Sequence, residues 1–145
     1  VTRVERARPE QHAALLRIWR AAVEATHHFL TPADVEFYAG VVAEHLPLVP
    51  DLRVALSAAG DPVGFIGQSG GEVAMLFVDP VAHGTGVGTA LLDDVARDHP
   101  VLLVDVNEQN PAARGFYESR GFTATGRSPL DGEGRPFPLV HLRRP

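Results

Sequence analysis

Glycine occupies every second position, 84, 86 and 88, in the stretch His83-Gly84-Thr85-Gly86-Val87-Gly88-Thr89-Ala90-Leu91-Leu92, just after the apolar run Met75-Leu76-Phe77-Val78. Each glycine inside a helix costs about 1 kcal/mol relative to alanine. Three of them in what otherwise reads as the opening of an amphipathic helix require a compensating use. Close approach of an anion to bare backbone is such a use, because unpaired N–H groups and the positive end of the helix dipole lie together at a helix start. The spacing therefore predicts a phosphate cradle over Gly84, Thr85, Gly86, Val87, Gly88 and Thr89. A plain strand-to-helix turn is the competing reading, and it asks for one such glycine rather than three.

Other glycine chemistries fit less well. A Walker loop needs a lysine after its glycines, and the 13 basic residues are all arginine. A dinucleotide fingerprint is spaced Gly-x-Gly-x-x-Gly with an acid about 20 residues on. Asp105 falls near that offset from Gly84, but the glycine spacing differs and too little chain follows Asp105 to complete such a sheet. Gly67-Gln68-Ser69-Gly70-Gly71 is a formal Gly-x-Ser-x-Gly match. A nucleophile elbow turns from strand into helix, whereas strand character continues here through Glu72–Val78, so a hairpin turn is expected.

A second segment, Asn110-Pro111-Ala112-Ala113-Arg114-Gly115-Phe116-Tyr117, joins a polar cap to an aromatic. Asn110 can cap a helix with Pro111 at its first position. Asn110, Ala113 and Tyr117 stand at i, i+3 and i+7 and so share a face. Phe116, beside that face, is expected to pack inward with Phe122. A cap and a half-buried core tyrosine form the plainer account of the same residues.

The elements that must position these groups follow from period and punctuation. A strand at Thr2–Arg6 precedes a helix from Pro9 to about His27, with Leu15, Ile18, Trp19, Ala22 and Val23 recurring at threes and fours. Thr31-Pro32-Ala33-Asp34 reads as a cap opening a second helix to Leu46. Strands are expected at Leu52–Ser57, Val63–Ser69 and Glu72–Val78, then the glycine-rich helix to about His99. A buried strand Val101–Val106, a helix Asn110–Arg120, and strands Phe122–Arg127 and Pro138–Leu142 complete the chain, with a polar loop over Ser128–Phe137. At 145 residues, this order implies a single α/β (α+β) domain spanning 1–145.

Composition narrows the partners. The net charge of −5 and the absence of any basic run argue against a nucleic-acid partner and mildly favour a cationic one. With no cysteine there is no disulfide, no thiolate metal site and no thiol nucleophile. No apolar run reaches the length of a membrane span and no leader pattern is recognisable, so a cytoplasmic location and no membrane partner are expected.

Together the two segments resemble the GNAT superfamily of acetyl-CoA-dependent N-acetyltransferases. The matching residues run from Val78-Asp79-Pro80 to Gly88-Thr89, and through Asn110-x-x-Ala113-x-x-x-Tyr117-x-x-x-Gly121-Phe122. Trp19, Ala25-Thr26-His27-x-Phe29-Leu30, Asn107-Glu108-Gln109-Asn110 and Thr125-Gly126-Arg127-Ser128 resemble its bacterial YjaB-type branch and extend the likeness to nearly the whole chain.

The resemblance implies a mixed, mostly antiparallel twisted sheet of about six or seven strands flanked by about four helices. It implies acetyl-CoA as donor, no metal, and a primary amine as acceptor, either a small amine or a protein or peptide lysine. Leu76, Phe77 and Val78 would hold the pantetheine arm where a bulge splays their strand from the next. The amides of Gly84, Thr85, Gly86, Val87, Gly88 and Thr89 would hold the pyrophosphate, and Asn110 would bind the pantetheine from the facing helix. Tyr117 would sit near the sulfur. The superfamily usually has Arg or Gln where this chain has His83, so His83 is expected to assist only when protonated.

Without a cysteine relay, direct transfer in a ternary complex is the simpler route, with Tyr117 as the acid. The base is open among Glu72, Glu24, His27, Glu108 and a water chain. The region from Trp19 to Tyr38 and the loop Ser128–Phe137 are expected to frame the acceptor, with Trp19, His27, Glu72 and Glu108 as acceptor-side residues. His27 and His28, being adjacent, point apart and make no metal site. An acyl-CoA-binding sensor without turnover is the alternative function, and a monomer or homodimer is expected.

Overall fold

Two capping arrangements and two apolar stripes set the helices of the computed structural model, which describes residues 2–145. Helix α1 (His12–Thr26) follows a short 3-10 turn at Pro9–Gln11 and buries Leu15, Ile18, Trp19, Ala22 and Val23, the stripe read from the sequence. Helix α2 (Pro32–His45) opens on a reciprocal cap: Asp34 N–H donates to Thr31 Oγ1 at 3.1 Å, and Thr31 N–H donates to Asp34 Oδ2 at 2.9 Å. Such a cap contributes about 1 kcal/mol. Helix α3 (Val87–Ala96) buries Val87, Leu91, Leu92 and Val95. In helix α4 (Pro111–Glu118) the Asn110 side chain accepts from Ala113 N–H at 3.2 Å.

Seven strands form one sheet: β1 (Arg3–Arg6), β2 (Asp51–Leu56), β3 (Pro62–Ser69), β4 (Glu72–Val78), β5 (Leu102–Asn107), β6 (Thr123–Ser128) and β7 (Leu139–Arg144). Their spatial order is β1-β2-β3-β4-β5-β7-β6. Every neighbouring pair is antiparallel except β4–β5, which is parallel. The Gly-x-Ser-x-Gly match is the β3–β4 turn, with Gly70 and Gly71 at positive φ.

Alternation along the strands builds a core on each face. Leu52, Val54, Leu56 and Phe65 meet α1 and α2. Ala55, Ile66, Val104, Val106 and Leu142 meet α3 and α4. The helical cover of the first face stops before β5, where Leu103 is 42% exposed. Asp105 and its register partner His141 stand on that same uncovered side.

Candidate active site

The site begins where the sheet comes apart. Strands β4 and β5 pair only at Glu72↔Leu103 and Val73↔Val104. On the other side of β4 the register slips between Gly67↔Met75 and Gln68↔Val73, leaving Ala74 unmatched. Such a bulge bends its strand, and beyond it β4 leaves β5. A cavity of about 680 Å³ fills the opening, walled by Leu76, Phe77 and Val78 of β4 and reaching from the α3 entrance to α4.

At the α3 end the glycines differ in role from the expectation. Gly84 and Gly86 precede the helix and have φ of +76° and +87°. Glycine alone adopts that left-handed backbone freely, so conformation accounts for both, and only Gly88 lies within the helix. A Cβ on Gly88 would stand 3.3 Å from the Phe116 ring, so its smallness lets α4 close on α3. The amides of this turn are nevertheless free: among the described residues, the N–H groups from Gly84 to Thr89 have no hydrogen-bond acceptor, the first such bond of the region being Ala90 N–H to Gly86 O. All of these residues except Thr85 line the cavity; the Thr85 hydroxyl donates to Ala82 O at 2.5 Å.

Two basic side chains border this turn. His83 Nε2 lies 3.0 Å from Val78 O, and since a carbonyl only accepts, Nε2 carries the proton. Arg120 was not singled out in the sequence. Its guanidinium lies 4.1 Å from the Phe116 ring centroid and donates to Thr89 Oγ1 through Nε at 2.8 Å, on the cavity wall beside the free amides.

Asn110 and Tyr117 both line the same cavity. The inward packing on Phe122 expected of Phe116 falls instead to Tyr117. Tyr117 is 6% exposed and packs on Phe122, whereas Phe116 is only partly buried beneath Arg120. Adjacent helical residues point about 100° apart, and with two aromatics side by side the periodicity does not say which faces the core. Burial pushes the Tyr117 phenol well above the ordinary tyrosine range, so it stays protonated. Its hydroxyl has no partner among the described residues, yet no buried side-chain polar atom goes unsatisfied. The oxygen therefore opens on the cavity.

A second cavity, of about 340 Å³, lies across the opening against α1, α2 and the 128–137 loop. Trp19 and Glu72 line it. Glu108 lines neither cavity: its carboxylate is gripped by Arg127 at 2.9 and 3.0 Å, which holds its pKa below the usual range. Glu24 is exposed and also lines neither. The two cavities share His27, Val73, Ala74, Phe77, Asp105 and Asn107, and these six form the seam between them.

Asp105 holds His141 Nδ1 at 2.6 Å, and His141 Nε2 lies 2.7 Å from Ser128 Oγ. The connectivity is that of a nucleophilic triad. Ser128, however, lines neither cavity. Among the described residues no group of three or more metal-ligating side chains gathers, and no helix is long and apolar enough to cross a membrane.

Known proteins carry the same architecture. The family described as "Acetyltransferase (GNAT) domain" matches residues 49–137. "Peptidyl-lysine N-acetyltransferase YjaB" of Salmonella typhimurium is 41% identical over 142 residues, covering 98% of this chain and 97% of the relative. The solution structure of apo YjaB from Escherichia coli superposes with a TM-score of 0.92 at 40% identity, over 99% of this chain and 97% of that one. The PaiA N-acetyltransferase of Thermoplasma acidophilum, solved with coenzyme A, shares the fold with a TM-score of 0.76 at 16% identity, over 99% and 98% of the two chains. A split parallel strand pair, a row of free amides at the helix beside it, and two-fifths identity along almost a whole relative converge on one assignment: the chain belongs to the GNAT acetyltransferase family.

Proposed function

We propose that this protein transfers the acetyl group of acetyl-CoA to a primary amine, the side chain of a lysine in a peptide or protein, by direct attack in a ternary complex. The observation that carries the reading is the row of free amides from Gly84 to Thr89 at one end of a cavity that also holds the Tyr117 hydroxyl. A volume of about 680 Å³ suits an extended nucleotide-bearing ligand, and the free amides match a diphosphate. Bound there, acetyl-CoA supplies an acetyl group activated as a thioester.

The amides of Gly84 to Thr89, with Arg120 and a protonated His83, bind the diphosphate. The open edge of β4 at Leu76, Phe77 and Val78, with Asn110 opposite, aligns the pantetheine arm. Tyr117 holds a proton at its Oη and gives it to the departing sulfur. The second cavity takes the acceptor. Glu72, Asp105, Asp131 and Glu133 line it with aromatic rings and without any arginine, which favours a cationic chain end. The relatives bearing the name peptidyl-lysine N-acetyltransferase support the same acceptor class.

The bacterial origin of those relatives supports a cytoplasmic bacterial enzyme, acting as one domain in a monomer or homodimer and without a metal. Thiol release measured against lysine peptides and small amines tests the reading. Acetyl-lysine formation is expected. Tight coenzyme A binding with no acetyl transfer to any amine would favour a sensor instead.

A further inference from the structure

Direct transfer requires a group to take a proton from the acceptor nitrogen, and that group must stand where the two cavities meet. Of the six seam residues only His27 and Asp105 titrate. One oxygen of Asp105 is already engaged by His141. His27 is held differently. Thr26 Oγ1 lies 2.7 Å from Ala22 O and 2.8 Å from His27 Nδ1. A hydroxyl has one proton and a carbonyl only accepts, so the Thr26 proton is committed to Ala22. Toward His27 the same oxygen can only accept. Nδ1 must then carry the imidazole proton, and Nε2 is left with its lone pair. No partner among the described residues occupies Nε2.

From this geometry we infer that His27 is the general base of the transfer, its Nε2 lone pair set by Thr26 through the tautomer of the ring. The inference rests on the acetyltransferase reading above. The acceptor ammonium first loses one proton to solvent; as the neutral nitrogen then forms its bond to the acetyl carbon, one N–H bond breaks and that proton passes to His27 Nε2. As the carbon–sulfur bond breaks, Tyr117 Oη–H supplies a proton to sulfur. One proton enters at His27 and one leaves from Tyr117, and solvent restores both groups. Tilted packing of the His27 ring against Phe29, at a centroid distance of 5.4 Å, and of Phe29 against Phe137 at 5.8 Å holds the imidazole at the seam.

Burial, with a smaller contribution from His28, lowers the His27 pKa below the ordinary histidine value. The neutral ring is then the resting form near neutrality. The other charged or titratable groups on the acceptor side are Tyr38, Glu72, Asp105, Asp131 and Glu133. On the donor side they are His83, Tyr117 and Arg120.

Two measurements on the full chain test this. Long-range nitrogen–proton NMR of the ligand-free protein reads the tautomer directly: the Nδ1–H form is expected in wild type and in Thr26→Ser, and a mixture of forms in Thr26→Val. The kinetic arm uses acetyl-CoA and a lysine peptide. His27→Ala is expected to lower kcat about 100-fold with the coenzyme A dissociation constant within twofold, to lose the acid limb of the kcat profile, and to regain activity with added imidazole. An Nε2–H tautomer in wild type overturns the inference, as does His27→Ala activity within threefold of wild type with the same pH profile. If wild type binds coenzyme A but acetylates no amine, the transferase reading itself fails and this inference falls with it.

Discussion

The rings of Tyr117 and Phe122 meet edge to face, with centroids 5.2 Å apart and planes at 72°, and Phe122 N–H donates to Tyr117 O at 3.2 Å. The two contacts fix the tyrosine just before the Gly121 turn, so the ring is held by packing and the hydroxyl alone is free to act. Tyr117→Phe keeps the packing and removes only the hydroxyl. Turnover is expected to fall about 100-fold or more, with the coenzyme A dissociation constant within twofold by calorimetry. Because burial raises the phenol's pKa, Tyr117 stays protonated through and above neutrality, and no alkaline loss of activity from its ionisation is expected near neutral pH.

Gly86 adopts φ +87° directly before α3. Gly86→Ala forces a side chain into a left-handed backbone, which costs about 1 kcal/mol, or else turns the amides away from one another. Thermal unfolding should show the small loss of stability. Coenzyme A affinity should weaken at least tenfold, and Arg120→Ala should weaken it less and in a salt-dependent way.

Arg53 pairs with Asp51 of its own strand at 2.7 Å and ties β2 to α3 and the turn after it through Asp94 at 2.9 Å and Asp98 at 2.8 Å, with its side chain 12% exposed. Arg53→Leu should cost about 2 kcal/mol of stability. The Arg53 hydrogen bonds hold the Asp51 carboxyl below the usual carboxylate range. A carboxyl with a depressed folded pKa contributes stability above its unfolded pKa, and that stability is lost as pH falls toward the folded value. Denaturant unfolding from pH 6 downward should therefore show a steeper acid loss in wild type than in Arg53→Leu.

The loop over the second cavity is strapped to α2. Tyr38 OH donates to Asp131, Arg135 reaches Asp34 at 3.1 Å, and the Arg135 guanidinium lies 3.5 Å from the Phe37 ring centroid. Tyr38→Phe releases one strap without emptying the wall. The KM for a lysine peptide is expected to rise several-fold while coenzyme A binding stays unchanged.

Much of the larger cavity's lining was legible in the sequence because its signals are local. The apolar run ending at Val78, the glycines after it and the Asn110 cap each lie within a few residues of the groups they position. The left-handed backbone of Gly84 and Gly86 was not legible, since spacing reports glycine but not φ. The seam was not legible either. His27 ends α1 and Asp105 lies on β5, and only the sheet order brings them to one opening. His141 meets Asp105 through the β5–β7 register, and Arg120 meets Thr89 through the packing of α4 on α3. Such contacts depend on topology rather than on local pattern.

A coenzyme A titration followed by amide NMR tests the central claim most directly. The backbone N–H signals of Gly84 to Thr89 should shift together, among the largest in the protein, and saturate with a single dissociation constant. Saturating coenzyme A that leaves those six signals unmoved while others shift would contradict the placement of the donor at the start of α3.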